Sequence, residues 1–255
     1  HRDLHYPLRR QRQMCIRDSD YPQPNNIFLS YAARWLGYVS GVTSNSELMG
    51  EQKLWTDAYN KMYREHLPFF DLAKMAGIPN KVFERWVSHP DYDDYWKAMT
   101  PSPEQYAKMD IPILTITGYF DGDQPGAMNY YRKHMKYAAE EAKARHYLLF
   151  GPYNHGGTRH PAQKLGGFVF SQDSVIDMLE LHKEWFDWVF KNGKKPEFLK
   201  DRVVYYMMGC NTWKSAGSLE KIADSIYSLY PSSAEGRAHD IFPVSYTHLR
   251  APRPY

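Results

Sequence analysis

The sequence Ile-Pro-Ile-Leu-Thr-Ile-Thr-Gly-Tyr-Phe-Asp-Gly, residues 111–122, has an aspartate just after an apolar, β-branched run. The sequence His-Tyr-Leu-Leu-Phe-Gly-Pro-Tyr-Asn-His, residues 146–155, has a histidine just after a second run of this kind. Runs without polar alternation are typical of strands that are covered on both faces. Residues 126–145 carry apolar side chains at helical spacing, so the sequence predicts a β-α-β unit. Asp121 and His155 then follow the carboxyl ends of two strands, where open α/β sheets bind their ligands.

An acid and a histidine in these positions suit the chemistry of a serine hydrolase. In α/β-hydrolases the nucleophile, the acid and the histidine occur in that order, each on a loop after a strand. The histidine takes the serine proton, and the carboxylate holds the imidazole in the right tautomer. On spacing alone a structural interpretation is equally open, because Asp-Gly pairs favour turns and a loop histidine needs no catalytic role.

Two phrases around these residues resemble the cocaine esterase / X-prolyl dipeptidyl peptidase family of serine hydrolases. They are Gly118-Tyr-Phe-Asp-Gly122 and Leu148-Leu-Phe-Gly-Pro-Tyr-Asn-His155, and the resemblance covers residues 25 to 235. It implies that Asp121 is the triad acid and that His155 is the triad base. It also implies hydrolysis of an acyl ester or an X-Pro dipeptidyl peptide through an acyl-serine, with no metal or organic cofactor.

The nucleophile of that family lies in a Gly-x-Ser-x-Gly elbow upstream of the acid, and this chain contains no such pentapeptide. The nearest sequence is Gly37-Tyr-Val-Ser-Gly41, in which the serine comes one place late and no strand precedes it. We interpret Ser40 as a loop serine. The prediction is therefore a hydrolase chain that carries the acid and the base but not the nucleophile, and that is inactive or nearly so.

Both ends of the chain differ in character from the rest. Residues 8–19 and 244–251 resemble translated sequencing-adapter DNA at the edges of metagenomic reads. We therefore expect the ends 1–19 and 244–255 to be foreign and the chain to be an internal fragment. A basic N-terminal arm for nucleic acid or membrane is the alternative. The first end carries +3 and the second +2 of the net +3, so residues 20–243 carry −2. That balance gives no electrostatic footprint for nucleic acid.

The cysteines, the histidines and the length of the apolar runs argue against several classes of function. One cysteine, Cys15, lies in the suspect N-terminal end and the other is Cys210, so neither an internal disulfide nor a cysteine metal site is expected. The eleven histidines include no His-Glu-x-x-His spacing, which argues against a zinc hydrolase. No apolar run reaches the roughly 20 residues that span a bilayer. The expected partner is a small-molecule ester or peptide substrate, with no nucleic acid and no membrane. The cellular compartment stays open, since any signal peptide would lie upstream of these residues. The oligomeric state also stays open.

Changes in periodicity along the chain predict an α/β protein. The resemblance implies that it is a partial α/β-hydrolase fold with a helical cap, followed by the start of a C-terminal jelly-roll β-sandwich. The predicted segments are a non-native end (1–19), a helical cap region (20–105), the C-terminal part of the hydrolase domain (106–196), the start of the sandwich (197–243) and a second non-native end (244–255). The clearest helix is predicted over 173–192. Strands are predicted over 203–208 and 225–230.

The cap region supplies candidate pocket residues. Residues 51–100 predict four helices, and the resembled family has a helical cap over its active site at this place in the chain. The family phrase His-Pro-x-Tyr-Asp-x-x-Trp is matched by residues 89–96. We name Trp55, Trp86 and Trp96 as candidates for lining the substrate pocket, although core packing is the favoured interpretation for any single one of them.

Two residues near the proposed pair have competing interpretations. Asp123 has three candidate roles: it binds substrate by attracting an amine, it replaces Asp121 as the triad acid, or it caps the following helix. The cap is the favoured interpretation, because aspartate is common at helix starts. His160 is a rival base, but His155 is preferred because it follows the strand directly in the Gly-Pro-aromatic-x-His phrase.

Two other functional classes stay open. The chain is alternatively a non-catalytic binding or interaction module of the same fold, in which the aspartate and histidine are incidental. A metal-dependent hydrolase that uses Asp121, Asp123, His155 and His160 is the weaker alternative. The sequence does not separate an esterase from a peptidase, and it does not identify the acyl group.

Overall fold

The computed structural model describes residues 31–39 and 46–223 of the 255-residue chain. Within these ranges the helices that precede the sheet are α1 (Tyr31–Val39), α2 (Ser46–Gly50), α3 (Gln52–Arg64), α4 (Leu72–Met75), α5 (Lys81–Val87), α6 (Asp94–Lys97) and α7 (Pro103–Ala107). The elements that follow are β1 (Ile113–Gly118), α8 (Gln124–Tyr137), α9 (Glu140–Lys143), β2 (His146–Gly151), β3 (Lys164–Leu165), β4 (Phe168–Val169), α10 (Met178–Lys191), β5 (Val203–Met207) and β6 (Thr212–Ala216). Ser40 and the strand predicted over 225–230 lie outside the described residues.

Side-chain caps determine where several of the short N-terminal helices begin. The carboxamide oxygen of Asn80 accepts hydrogen bonds from the backbone N–H groups of Val82 and Phe83, at 3.0 and 3.1 Å, at the start of α5. Asp93 caps α6 in the same way. Such caps satisfy N–H groups that have no partner inside the helix. Across residues 31–39 and 46–223, none of the helices combines the length and the apolarity that crossing a membrane requires.

The helices α1 and α3–α6 bury their apolar faces against one another and form a core of their own. Its buried members are Ala32, Ala33, Leu36, Trp55, Ala58, Leu72, Ala73, Ala76, Phe83, Trp86 and Trp96. Trp86 packs edge-on against Trp96 with ring centroids 5.7 Å apart, and Trp35 stacks on Trp86 at 6.5 Å. Edge-to-face aromatic pairs contribute about 0.5–1.5 kcal/mol beyond the area that they bury.

The main sheet has the strand order β1-β2-β5-β6. β1 and β2 are parallel and pair from Ile113 with His146 to Gly118 with Gly151. Every residue of β2 is buried, as its continuous apolar sequence predicts. Helix α8 lies between these two strands in the chain, so the predicted β-α-β unit and the α/β class are confirmed.

Helices α8 and α10 cover opposite faces of the sheet. Alternate residues of β2, Tyr147 and Leu149, face α10 in a core with Met178, Leu181 and Trp185. On the other face of β2, His146 contacts the α8 residues Tyr131 and His134. This alternation follows from the twofold period of a strand.

The last long helix starts later than predicted. The sequence predicts a helix over 173–192, but residues 172–174 form a 3₁₀ turn and α10 begins at Met178. The side chain of Asp177 accepts a hydrogen bond from the backbone N–H of Glu180 at 3.0 Å and caps the helix. The predicted end is confirmed, since Asn192 adopts the left-handed conformation, with φ of 54°, that often terminates helices.

The strand predicted over 203–208 joins the main sheet. β5 pairs in parallel with β2, from Leu148 with Val203 to Phe150 with Tyr205, and β6 returns antiparallel to it. Four of the five β5 residues are buried, which suits a strand inside a sheet. The expected domain boundary near residue 197 therefore falls between β2 and β5, which are neighbouring strands of one sheet. A β-sandwich beyond these strands stays a prediction.

Candidate active site

The acid loop follows β1 in a tight turn. The backbone N–H of Asp121 donates to the carbonyl of Gly118 at 3.2 Å, and the Asp121 carbonyl accepts from Gln124 at 3.1 Å at the start of α8. The Asp121 side chain is only 6% exposed. Its Oδ1 atom accepts a hydrogen bond from the backbone N–H of Asp123 at 3.1 Å. The turn therefore fixes the carboxylate at the carboxyl end of the sheet.

The base loop follows β2 beside it. His155 precedes a 3₁₀ turn, residues 156–158, and its carbonyl accepts a hydrogen bond from the Thr158 hydroxyl at 2.7 Å. The side chain of Asn154 accepts from the backbone N–H of Gly157 at 2.9 Å. The imidazole itself is 54% exposed, so its orientation depends on this loop and on polar contacts.

The structure brings the predicted acid and base together. The Nδ1 atom of His155 lies 3.2 Å from Oδ1 of Asp121 and 3.1 Å from Oδ2 of Asp123. Its Nε2 atom has no hydrogen-bond partner among the described residues. One ring nitrogen therefore faces two carboxylates, while the other is available to a reacting group.

Asp123 was expected to cap helix α8, but its side chain does not make the hydrogen bond that a cap requires. It occupies the position before the first turn of α8. Its carboxylate is 39% exposed and lies against His155 instead. The reason is geometric: the turn that starts at Asp121 presents both carboxylates to the same imidazole.

Of the other two polar candidates, Asp123 lies beside Asp121 and His155, whereas His160 does not. Asp121, Asp123 and His155 offer donor atoms that all lie within 4.8 Å of one another, which is close enough for the three side chains to contact one metal ion. His160 is exposed and does not belong to that group. Its backbone N–H donates to the Gly156 carbonyl at 2.9 Å, so the residue closes the base loop.

The three tryptophans predicted for the substrate pocket lie in the helical core. Their exposed fractions are 1% for Trp55, 5% for Trp86 and 1% for Trp96. The indole N–H of Trp55 donates to the carbonyl of Leu48, and that of Trp96 to the carbonyl of His89, both at 2.9 Å. The three side chains are therefore part of the packed helical core. A role for them in lining a substrate pocket stays a prediction.

Two features of the structure were not predicted from the sequence. The first is a second aspartate–histidine contact, in which His89 Nδ1 lies 2.6 Å from Asp93 Oδ2 and lowers the pKa of that carboxyl group. The second is Tyr153, which is buried between the acid and base loops. Its signal in the sequence is an aromatic residue after Gly151 and Pro152, close to the histidine.

A comparison with protein families gives the identity of the chain. The family model described as X-Pro dipeptidyl-peptidase (S15 family) matches residues 23–157, which is more than half of the chain. The chain belongs to the X-Pro dipeptidyl-peptidase (S15) family. The resemblance stated from the two loop phrases is thereby confirmed, and the matched region includes both Asp121 and His155. The chain is thus part of a hydrolase family of peptidases and esterases.

Some solved structures are similar to this chain. An aminopeptidase from the marine sediment archaeon Thaumarchaeota archaeon matches with a TM-score of 0.59 and 21% identity, over 80% of this chain and 33% of that one. An α-amino acid ester hydrolase matches at 0.46 and 22%, over 58% and 24% of the two chains. A CocE/NonD family hydrolase from Staphylococcus aureus matches at 0.38 and 15%, over 76% and 38%. No curated protein sequence matches the chain.

The chain spans about one third of the length of the archaeal aminopeptidase. At 21% identity this likeness concerns the fold alone.

Proposed function

We propose that Asp121 and His155 are the acid and the base of a serine hydrolase. The observation that carries this proposal is the 3.2 Å contact between His155 Nδ1 and Asp121 Oδ1. A base and the group that orients it need a separation of about 2.6–3.2 Å, which is often looser without substrate. Their order in the chain, each after a strand, agrees with the α/β-hydrolase arrangement.

In this role Asp121 accepts a hydrogen bond from Nδ1–H, which leaves Nε2 of His155 to accept the proton of a serine hydroxyl. The serine oxygen bonds to the substrate carbonyl carbon, and the imidazolium then returns the proton to the departing alcohol or amine. Water repeats these steps on the acyl-serine and releases the acid. The low exposure of Asp121 strengthens its attraction to the imidazolium, because charges interact more strongly away from water.

The serine is proposed to come from outside this sequence, because the 255 residues contain no Gly-x-Ser-x-Gly pentapeptide. In a comparable triad enzyme, removing the nucleophile alone lowers turnover by about 10⁶. The chain alone is therefore expected to be inactive, or nearly so, towards esters and peptides.

The proposed substrate is an acyl ester or an X-Pro dipeptidyl peptide. Asp123 adds a second negative charge next to the base, and its carboxylate is 39% exposed. A partly exposed carboxylate at a site attracts cationic groups. We therefore propose that Asp123 favours substrates that carry a free amine close to the bond that is cleaved.

Nitrogen-15 NMR of histidine-labelled chain tests the acid–base pair. In the unaltered chain at about pH 8, we expect Nδ1 of His155 to carry the ring proton, because the hydrogen bond to Asp121 selects that tautomer. Asp121→Asn should move the population toward Nε2–H, whereas Asp123→Asn should change it less. His160 serves as an exposed reference in each spectrum. A loss of Nδ1–H confined to Asp123→Asn would reassign the acid to Asp123.

An activity assay tests the nucleophile separately. The purified chain and its His155→Ala variant should hydrolyse an activated ester at the same background rate. Turnover by the unaltered chain that disappears in His155→Ala would mean that the chain contains its own nucleophile. Such a result would contradict the proposed inactivity while leaving the acid–base pair intact.

A metal-dependent hydrolase is the second candidate, because the donor atoms of Asp121, Asp123 and His155 lie within 4.8 Å of one another. Carboxylate oxygens and imidazole nitrogens are ligands that zinc uses in catalytic sites. The two candidates need different states of His155 Nδ1, since a nitrogen that donates its proton to Asp121 cannot ligate a metal. A non-catalytic binding module is the interpretation that would follow if neither pairing nor metal binding were detected.

A further inference from the structure

Tyr153 fills a space that two glycines leave open at the ends of β1 and β2. Gly118 and Gly151 are partners in the register of these strands. A Cβ atom at Gly118 would lie 2.2 Å from the carbonyl oxygen of Tyr153, and one at Gly151 would lie 2.0 Å from its ring. The Tyr153 residue is 1% exposed. The glycines are thus required for the close approach of Tyr153.

The backbone of Tyr153 joins the base loop to the acid loop. Its carbonyl accepts a hydrogen bond from the N–H of Phe120 at 3.0 Å, and the carbonyl of Gly151 accepts from Tyr119 at 3.0 Å. Phe120 directly precedes Asp121, and Tyr153 lies two residues before His155. The two bonds therefore tie the segments that carry the acid and the base.

The ring of Tyr153 anchors the same loop to the segment before α10. Its hydroxyl donates to the carbonyl of Ser174 at 3.0 Å, and its ring centroid lies 6.3 Å from that of Trp213. Burial raises the pKa of the Tyr153 phenol, so the hydroxyl keeps the proton that this bond requires. The ring belongs to the core that contains Leu181 and Trp185 of α10.

His155 lacks such an anchor of its own. Its side chain is 54% exposed, so few packing contacts restrict the imidazole. The base loop continues through Gly157, where a Cβ atom would lie 3.0 Å from the Cβ of Tyr153. The position of the imidazole relative to Asp121 therefore depends on how firmly Tyr153 holds the loop.

We propose that Tyr153, wedged between Gly118 and Gly151, is a positioning residue that sets the distance between His155 and Asp121. This inference rests on the proposed function, because it gives Tyr153 a part in the acid–base pair. Tyr153 acts through the loop and needs no contact with substrate. Loss of its ring should loosen the pair even where the fold survives.

The test compares the His155 tautomer, measured by nitrogen-15 NMR, with the thermal unfolding midpoint in variants of the full chain. Tyr153→Leu should lower both the midpoint and the Nδ1–H population, the latter by about twofold or more. Tyr153→Phe, which loses only the bond to Ser174, should keep most of that population. Tyr147→Leu is the matched control, because Tyr147 is a buried aromatic residue of the same core that packs on Trp185 and Trp188. It should lower the midpoint without changing the tautomer.

Tyr153→Met keeps the test decisive if the leucine variant does not fold, because it retains apolar volume and loses the ring. An unchanged Nδ1–H population in the folded leucine or methionine variant would overturn the positioning role. So would an equal change in Tyr147→Leu, which would indicate a general loss of rigidity. If Asp121→Asn also left the tautomer unchanged, the failure would belong to the proposed acid–base pair and not to Tyr153.

Discussion

The imidazole rings of His134 and His146 meet edge to face, with centroids 4.7 Å apart, between α8 and the sheet. Both side chains are fully buried. The Nε2 atom of His146 lies 2.8 Å from the hydroxyl of Thr115, whereas the other three ring nitrogens have no hydrogen-bond partner in the described structure. Burial lowers the pKa of His134 to about 4 and holds the pKa of His146 well below its usual value.

This pair predicts that the protein loses stability in mild acid. In the unfolded chain each histidine binds a proton near its usual pKa of about 6.5. In the folded chain both stay neutral well below that pH, so protons favour the unfolded state. Stability is therefore fully present above about pH 6.5 and falls as the pH is lowered toward 4. His134 alone accounts for about 2 kcal/mol of the free energy of unfolding between about pH 7.5 and pH 5.

Urea unfolding at a series of pH values measures this effect. His134→Phe removes one of the two titrating rings and should make the decline below about pH 6.5 shallower. His160→Gln is the control, because it removes an exposed histidine and leaves the buried pair in place. The charge of Lys143 also disfavours protonation of His134, so Lys143→Ala should reduce the decline slightly. An identical slope in the unaltered chain and in His134→Phe would contradict the prediction.

Adding a single methyl group at either of the paired glycines, Gly118 or Gly151, is expected to lower the free energy of unfolding strongly. Gly118→Ala and Gly151→Ala should each lower the free energy of unfolding by about 3 kcal/mol or more, because the added carbon overlaps Tyr153. Gly122→Ala is the matched control in the acid loop, where a Cβ atom meets nothing within 4 Å. It should change stability by less than about 0.5 kcal/mol. Equal costs at all three positions, measured by urea unfolding, would argue against the close packing of Tyr153.

The sequence was sufficient to predict how Asp121 and His155 come together. Two buried strands joined by a helical segment favour a parallel pair, and the residues after such strands share one edge of the sheet. Helix α5 was also predictable, since it lies within the region of residues 51–100 for which four helices were expected. In each case the determining signal lies within a few residues of the feature.

The features that the sequence did not reveal depend on contacts between distant segments. Nothing local indicates that the His134 ring will meet the His146 ring, or that Tyr153 will fill the space above Gly118. The start of α10 was misplaced because Asp173, Ser174 and Asp177 are all good caps, and only tertiary packing selects the last. The strand over 203–208 was recognised, but its periodicity does not say which sheet it joins.

The cap of α5 gives a prediction about stability alone. Asn80→Ala removes the acceptor of two backbone hydrogen bonds and should lower the free energy of unfolding by about 1–2 kcal/mol. Asn80→Asp retains an acceptor and should recover most of that loss. Ser102→Ala, at the exposed cap of α7, serves for comparison and should cost less, because water can replace the lost bond. Urea unfolding at neutral pH ranks the three variants, and a larger loss at Ser102 than at Asn80 would contradict the prediction.

Titration with Zn²⁺ separates the two candidate functions of the acid–base site. The Nδ1 atom of His155 lies within 3.2 Å of both carboxylates, and in the proposed hydrolase it carries the proton that Asp121 accepts. We therefore expect the melting temperature to stay unchanged as Zn²⁺ is added at neutral pH. A ligand present at a hundred times its Kd would stabilise the folded chain by about 2.7 kcal/mol, so specific binding would be visible. His89→Ala is the control, because it removes an imidazole from the other aspartate–histidine contact, with Asp93. A rise in melting temperature that persists in His89→Ala but disappears in both Asp123→Asn and His155→Ala would favour the metal-dependent hydrolase.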